Sequence, residues 1–288
     1  MKSKAVLLTT LAIICFAGNS ILCRLALADG LVDAATFTTV RLASGALVLV
    51  LLASRRGRDR RVGAAGWASA VMLFAYAAPF SYAYLRLGAA MGALILFASV
   101  QVTMVSWGVL RGERPSHLAW FGIAVAIAGL VGLTVPGRGA PDPLSTVVMA
   151  IAGIAWGAYS LRGRVASGDP LVTTAASFLL SLPFSAGLIA VALPTQGLHA
   201  TARGITLAIA SGALASGLGY SIWYAALPDL SATRAAVVQL LVPVLAAGGA
   251  VIWLGERVST RLVIASAAIL GGVALTIRDR WAPAANAR

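Results

Sequence analysis

Arg41 is the charged residue whose position asks for an explanation, because it lies several residues inside an apolar run at about 34–53, where an ionised side chain is costly. Two accounts need no ligand: snorkelling of the guanidinium to the surface, or pairing with Asp33 two turns earlier. The third is chemical, a buried cation that takes a substrate carboxylate. The acids set the opposite pattern. Asp29, Asp33, Asp59, Glu113, Asp142, Asp169, Asp229, Glu256 and Asp279 all fall at loops or span ends. Proton pumps and cation antiporters usually carry charge on an intramembrane carboxylate, so proton-coupled export of cations loses ground and movement of a solute down its own gradient gains it. His117 and His199 lie in loops, and no Ser/His/Asp or metal-ligand set stands at membrane depth. The chain is therefore read as no enzyme, with no cofactor and no metal.

Uncharged polar groups near mid-span form a second set: Asn19, Ser99, Gln101 and Gln239, with Ser160, Ser211 and Ser216. In hydrocarbon each must face another helix or a watery cavity. A third set is aromatic. Trp156, Tyr159, Tyr220 and Trp223 are flanked by Gly153, Gly157, Gly217 and Gly219, and flat rings beside glycine either pack helices or line a pocket for apolar and aromatic ligands. Tyr82 joins them, while Tyr84 and Tyr224 suit the interfacial belt. The expected substrate-binding residues are thus Asn19, Tyr82, Ser99, Gln101, Trp156, Tyr159, Tyr220, Trp223 and Gln239, with Arg41 for a carboxylate. Pro79, Pro183 and Pro243 interrupt spans, and Pro243, beside Gln239, is the expected hinge.

Ten apolar runs must position these groups, at about 5–27, 34–53, 64–85, 88–110, 116–135, 144–162, 171–193, 204–226, 232–253 and 259–277. The chain is 60% hydrophobic and 11% charged, where a soluble domain carries about 25% charged residues. Its mean hydropathy is +0.91. A bilayer core takes about 20 apolar residues per helix, so the 288 residues leave almost nothing for soluble domains. The runs lack the alternation of barrel strands, and the fold class is all-α and polytopic.

The amino-terminal run is read as a retained span, not a cleaved signal, because it continues through Leu27 and its outer half recurs inside the chain. A net charge of +13 raises nucleic acid as a partner, but its distribution argues for membrane topology instead. With the amino terminus cytoplasmic, fifteen of the 22 lysines and arginines gather on the inner side, led by Lys2, Lys4 and the Arg55–Arg61 cluster, against five outside. By the positive-inside rule both termini are cytoplasmic, and lipid is the expected macroscopic partner. Cys15 and Cys23 are read as small packing residues.

Within these spans the chain repeats itself. Arg111-Gly112-Glu113-Arg114-Pro115-Ser116 returns 143 residues later as Leu254-Gly255-Glu256-Arg257-Val258-Ser259, with five spans between. An odd number of spans inverts the second copy. At an offset of 140, residues 12–35 overlay 152–175 without gaps, pairing Arg24 with Arg164 and Asp29 with Asp169. Phe16/Trp156 and Phe80/Trp223 occupy equivalent positions. Two repeats follow, residues 1–139 and 140–288. Glu113 and Glu256, each between glycine and arginine, are expected to pair or cap at the boundaries of spans four to five and nine to ten.

The two five-helix halves, this loop, Arg41 early in span two and Val242-Pro243-Val244 before the second copy resemble the drug/metabolite transporter superfamily, in its ten-helix EamA branch. The first half has Val100-Gln101 where the second has Pro243-Val244, so the proline is not shared. The resemblance implies a central cavity lined by spans one to four and six to nine, with spans five and ten peripheral. It implies a bacterial inner-membrane exporter of small organic solutes, amino acids leading and aromatic ones among them, working by alternating access as a monomer or weak homodimer. A multidrug or other metabolite exporter, and a non-transport membrane scaffold or receptor, are the rival readings.

Overall fold

An apolar run in lipid has to satisfy its own amides, and the described residues of this chain do so as helices. The computed structural model describes residues 3–54, 64–111, 116–135, 140–165, 169–229, 238–239 and 241–278. The Arg55–Arg61 cluster, Glu113, the 136–139 junction and the expected start of span nine at 232–237 lie outside the described residues.

Ten helices run through the rest: α1 Ser3–Leu27, α2 Ala34–Ser54, α3 Ala64–Ala83, α4 Ala89–Leu110, α5 His117–Thr134, α6 Pro143–Val165, α7 Pro170–Gln196, α8 Ala202–Ala226, α9 Leu241–Leu254 and α10 Thr260–Arg278. Six of them, α1, α2, α4, α6, α7 and α8, are long and apolar enough to cross a membrane, and α5, α9 and α10 contribute shorter apolar helices. Among the described residues the extended pairing is confined to one isolated bridge, Val32 with Ala200. Large apolar side chains such as Leu47, Leu51, Ile252 and Trp253 face outward, as expected where the solvent is lipid.

The packing follows the internal repeat. α6 lies against α3 and α4, and α1 lies correspondingly against α8 and α9; α2 packs on α7, and α5 on α10, across the line between the halves. α5 and α10 sit apart from the central eight. Gly129 backs onto Ala268 and Ile269, and Gly272 onto the Gly122 carbonyl and Ala126, so these glycines let that pair close up. Gly132 and Gly271 have no such neighbour, and their small size is not used there.

The repeated loop motif has a structural division of labour. Gly255 ends α9 in the left-handed region at φ 63°, where only glycine is unstrained. Its serine starts the next helix in both halves. Ser116 Oγ accepts from the amides of Leu118 and Ala119 at 3.1 and 3.3 Å, and Ser259 Oγ from Leu262 N at 3.2 Å. Each thereby satisfies amides that a helix start leaves open.

Candidate functional site

Arg41 does neither of the two things that would make it uninteresting. It does not snorkel, being 1% exposed. It does not pair with Asp33, whose carboxylate accepts from the amides of Thr36 at 2.8 Å and His199 at 2.9 Å. Partial burial alone would push the Asp33 carboxyl up, but these two amides hold it below the ordinary carboxylate range. Asp33 is thus committed as a helix cap.

Two helices, α3 and α8, instead close on the guanidinium. Arg41 Nε donates to Ser216 Oγ at 3.0 Å, and Nη2 donates to the hydroxyls of Tyr76 and Tyr220, each at 2.9 Å. The guanidinium carbon also lies 4.8 Å from the Phe80 ring centroid and 5.1 Å from that of Tyr76. Hydrogen bonds from a charged group are worth about 1.5–3 kcal/mol each, and a desolvated cation–π contact about 2. Together they match the several kcal/mol that burying an ion costs, which is why the charge can stay where it is. One nitrogen, Nη1, is left buried without a partner.

The two tyrosines that hold Arg41 belong to the wall of a central cavity lined by Phe16, Asn19, Ser20, Tyr76, Phe80, Leu96, Phe97, Trp156 and Tyr220. These come from α1, α3, α4, α6 and α8, from both halves of the chain. The rings have closed on one another. Trp156 stands 4.6 Å from Tyr220, 5.0 Å from Tyr76 and 5.6 Å from Phe16, centroid to centroid. What remains has room for about one water molecule at most, so the helices must part before the cavity can hold anything larger.

Of the expected binding residues, Asn19, Trp156 and Tyr220 line this cavity, with Arg41 directly behind it. Trp223 and Tyr159 stand one ring further out, 5.7 Å from Phe16 and 5.7 Å from Trp156 respectively. Ser99 is spent on packing: its Oγ donates to the Ile95 carbonyl at 2.9 Å and its Cβ fills the space beside Gly153. Gln101 and Gln239 are buried away from the wall. Tyr82 lies toward the α2 and α7 ends, near Asp33 and Gln196. Pro243 is buried in α9.

The most consequential omission from that set is Tyr76. Its hydroxyl receives Arg41 Nη2, Asn19 Nδ2 at 3.2 Å and the Tyr220 hydroxyl at 3.2 Å. The signal was present in the spacing: Tyr76, Phe80 and Tyr84 recur every four residues, one stripe of a helix, and Phe80 and Tyr84 are in edge contact at 4.7 Å. Ser216 carries no such signal. It reaches Arg41 because residues Ser211–Leu218 form a π-helical stretch inside α8, with the Gly219 amide bonded back to the Leu214 carbonyl. In that wider turn Ser211 and Ser216, five residues apart, both face the site: Ser211 Oγ donates to Asn19 Oδ1 at 2.6 Å. Such stretches gather at functional sites.

Glycine makes the stretch possible. A Cβ on Gly212 would collide with the Arg41 carbonyl and Ser44 Oγ, and one on Gly45 would meet Phe178 and the Gly212 carbonyl. Gly212→Val is accordingly expected to force α8 off α2, lowering the thermal midpoint in detergent by an amount equivalent to ~1–3 kcal/mol. A midpoint within a degree of wild type would refute the close-packing account.

A second cluster ties one end of the bundle. Glu256 reaches away from its own helices into the first half, where Oε1 accepts from the Ala89 amide at the start of α4 at 2.8 Å and faces Arg24 Nε at 3.6 Å. Arg24 Nη1 donates in turn to the Tyr84 carbonyl at 2.9 Å. Gly88 lies flat against the carboxylate. The expected tie between the boundaries of spans nine and ten is therefore replaced by one from the α9–α10 loop to α1, α3 and α4. At the same end the α1–α2 loop is laced to the α7–α8 loop, Thr201 N to the Leu31 carbonyl at 2.8 Å and Asp33 N to the His199 carbonyl at 3.0 Å.

Comparison with known proteins adds four findings. The model of the EamA-like transporter family matches residues 3–135 and, a second time, 144–278. An uncharacterized protein of Pseudomonas aeruginosa is 49% identical over 283 residues, covering 98% of both chains. An uncharacterized transporter of Archaeoglobus fulgidus is 25% identical over 288 residues, covering 96% of this chain and 98% of its own. One solved crystal structure superposes with a TM-score of 0.68 at 20% identity, over 96% of this chain and 98% of that one, a likeness of fold.

Proposed function

The chain belongs to the EamA-like transporter family, a multi-pass membrane protein built from two such repeats, and on that premise we propose that it exports small organic solutes carrying a carboxylate and an apolar or aromatic body, a description that amino acids meet. Membership places it among transporters and not enzymes. The observation that carries the substrate reading is Arg41: a fully buried cation, held by two cavity tyrosines, that pairs with no acidic side chain among the described residues. A solute carboxylate arriving in the cavity would supply the missing counter-charge, and the surrounding rings would take the apolar body by area and shape.

In this reading the protein sits in a bacterial inner membrane with both termini in the cytoplasm, and the end held by Glu256, Arg24 and the α1–α2 and α7–α8 loops faces outward. Alternating access then consists of parting that end while the cytoplasmic end closes, with Pro243 in α9 as the hinge. Because no acid stands at membrane depth, the solute moves down its own gradient. Counterflow in proteoliposomes with labelled aromatic and hydrophobic amino acids, with and without a proton gradient, is expected to show exchange that ignores the gradient. Exchange of organic cations lacking a carboxylate would favour a multidrug exporter. Absence of any flux would favour a scaffold or receptor.

The outward tie gives a separate expectation. Its ion pair is about one-fifth exposed on each side and so contributes below about 1 kcal/mol, to which loss of the bond to the Ala89 amide adds about 1. Glu256→Ala should therefore shift the protein toward the outward-open form roughly five- to thirtyfold. In a Cys15→Ser background, the fully buried Cys23 beside Arg24 should be alkylated faster by a membrane-impermeant maleimide. An unchanged labelling rate would mean that the tie does not hold that end shut.

A further inference from the structure

The polar groups around the cavity are unevenly matched, and the imbalance narrows the ligand. Donors outnumber acceptors. Arg41 Nη1 and Trp156 Nε1 are both buried without a partner, and Trp156 is part of the cavity wall. The Tyr76 oxygen already receives three donors, from Arg41, Asn19 and Tyr220, more than its two lone pairs serve well. The acceptors, in contrast, are taken. Asn19 Oδ1 is held by Ser211 at 2.6 Å, Ser216 Oγ by Arg41 Nε, and the Tyr220 hydroxyl oxygen by Arg41 Nη2. The site therefore has unspent N–H groups and a positive charge, and the rest of its lining is the neutral Ser20 hydroxyl and the carbon of Phe16, Phe80, Leu96 and Phe97.

A zwitterion suits such a site poorly. Its carboxylate is welcome, but its ammonium finds no carboxylate on this wall, only the neutral Ser20 hydroxyl, and must stand a few ångströms from a guanidinium in a low dielectric. Resting on the carboxylate reading above, we infer that the site prefers solutes whose single charge is the carboxylate, aromatic or apolar monocarboxylic acids, over the amino acids of the same skeleton. The donors left over by Arg41 and Trp156 take the two carboxylate oxygens, and the ring enters among Phe16, Phe80 and Tyr220. The chain's own asymmetry fits this. Carrying the 140-residue offset on from Ala35/Ala175 puts Ser181 opposite Arg41, and Ser181 Oγ is turned back to the Phe178 carbonyl at 2.7 Å, so the second half supplies no balancing charge.

Three probes that share one skeleton separate the possibilities: 3-phenylpropionate, L-phenylalanine and 2-phenylethylamine, an anion, a zwitterion and a cation. Binding is read on the purified full chain near neutral pH by quenching of tryptophan fluorescence, with a thermal-shift measurement alongside, which avoids passive permeation of the acid. The anion is expected to bind at least about tenfold more tightly than phenylalanine, the amine to give no response, and Arg41→Gln to erase the difference between anion and zwitterion. Phenylalanine binding as tightly as the anion, or more so, would overturn the preference while leaving the carboxylate reading intact. Tightest binding of the amine, or no response to any probe, would overturn both.

Discussion

Replacing Arg41 by glutamine should reduce transport of carboxylate-bearing solutes by about two orders of magnitude or more while the protein still inserts and folds. Removing one partner of a buried, hydrogen-bonded charge pair typically costs about 3–5 kcal/mol, a factor of a hundred to a few thousand in an equilibrium constant. Glutamine keeps an amide that can reach the Tyr76 or Tyr220 hydroxyl, so the network is thinned without being left open, and the apo protein is relieved of a costly ion. Stability should accordingly hold or rise. That combination, a large functional loss with an unchanged or higher thermal midpoint, is what a purely structural arginine would not produce. Uniform loss of every solute together with poor expression would assign Arg41 to folding instead. Arg41→Lys is expected to recover only part of the activity, because an ammonium lacks the planar fork that bonds Ser216, Tyr76 and Tyr220 at once.

Trp156→Ala should have the largest effect on stability. The indole is 3% exposed and touches Tyr159 and three rings of the cavity wall, Phe16, Tyr76 and Tyr220. Truncating a buried tryptophan costs about 3–5 kcal/mol through lost contacts and the void left behind. The functional consequence runs the other way in size selectivity. A void opened beside Tyr220 and Asn19 should admit bulkier aromatic solutes, so relative affinity should tilt toward bicyclic over monocyclic ligands even as overall stability falls. Thermal unfolding in detergent and competition between a one-ring and a two-ring carboxylate check the two halves of the prediction. An unchanged midpoint would mean that the aromatic cluster is not the packing centre of the bundle.

Particular residues show how far the sequence reaches. Spans were readable because every backbone amide in lipid must be satisfied within its own segment, which makes hydropathy a local property; where the described residues reach them, the helix ends fall within a few residues of the expected runs, the start of span nine lying outside. Asn19, Trp156 and Tyr220 were found as mid-span polar or aromatic residues in helices around the cavity. Gln101, Gln239 and Ser99 met the same description and are buried elsewhere. What separates the two groups is the rotation of each helix about its axis, and in chains that are apolar all round no hydrophobic stripe reports it. Tyr76 could have been recovered from its spacing with Phe80 and Tyr84. Ser216 could not, since its direction depends on the wider turn of the π stretch.

The order of residues alone was enough for a polytopic helical protein, an inverted duplication, and a cation placed at depth with no acid to match it. Those are matters of composition and period along one strand of chain. Folding added the partnerships. Arg41 meets Ser216 across 175 residues, Asn19 meets Ser211 across 192, and Glu256 leaves its own half to cap α4 across 167. Contacts of that reach are set by how helices with small-residue faces approach and turn against one another, through positions such as Gly45, Gly88, Gly153 and Gly212. Lipid dictates that the segments be helical, but it is indifferent to which faces meet, so the choice is left to packing and to the few polar groups that must find each other.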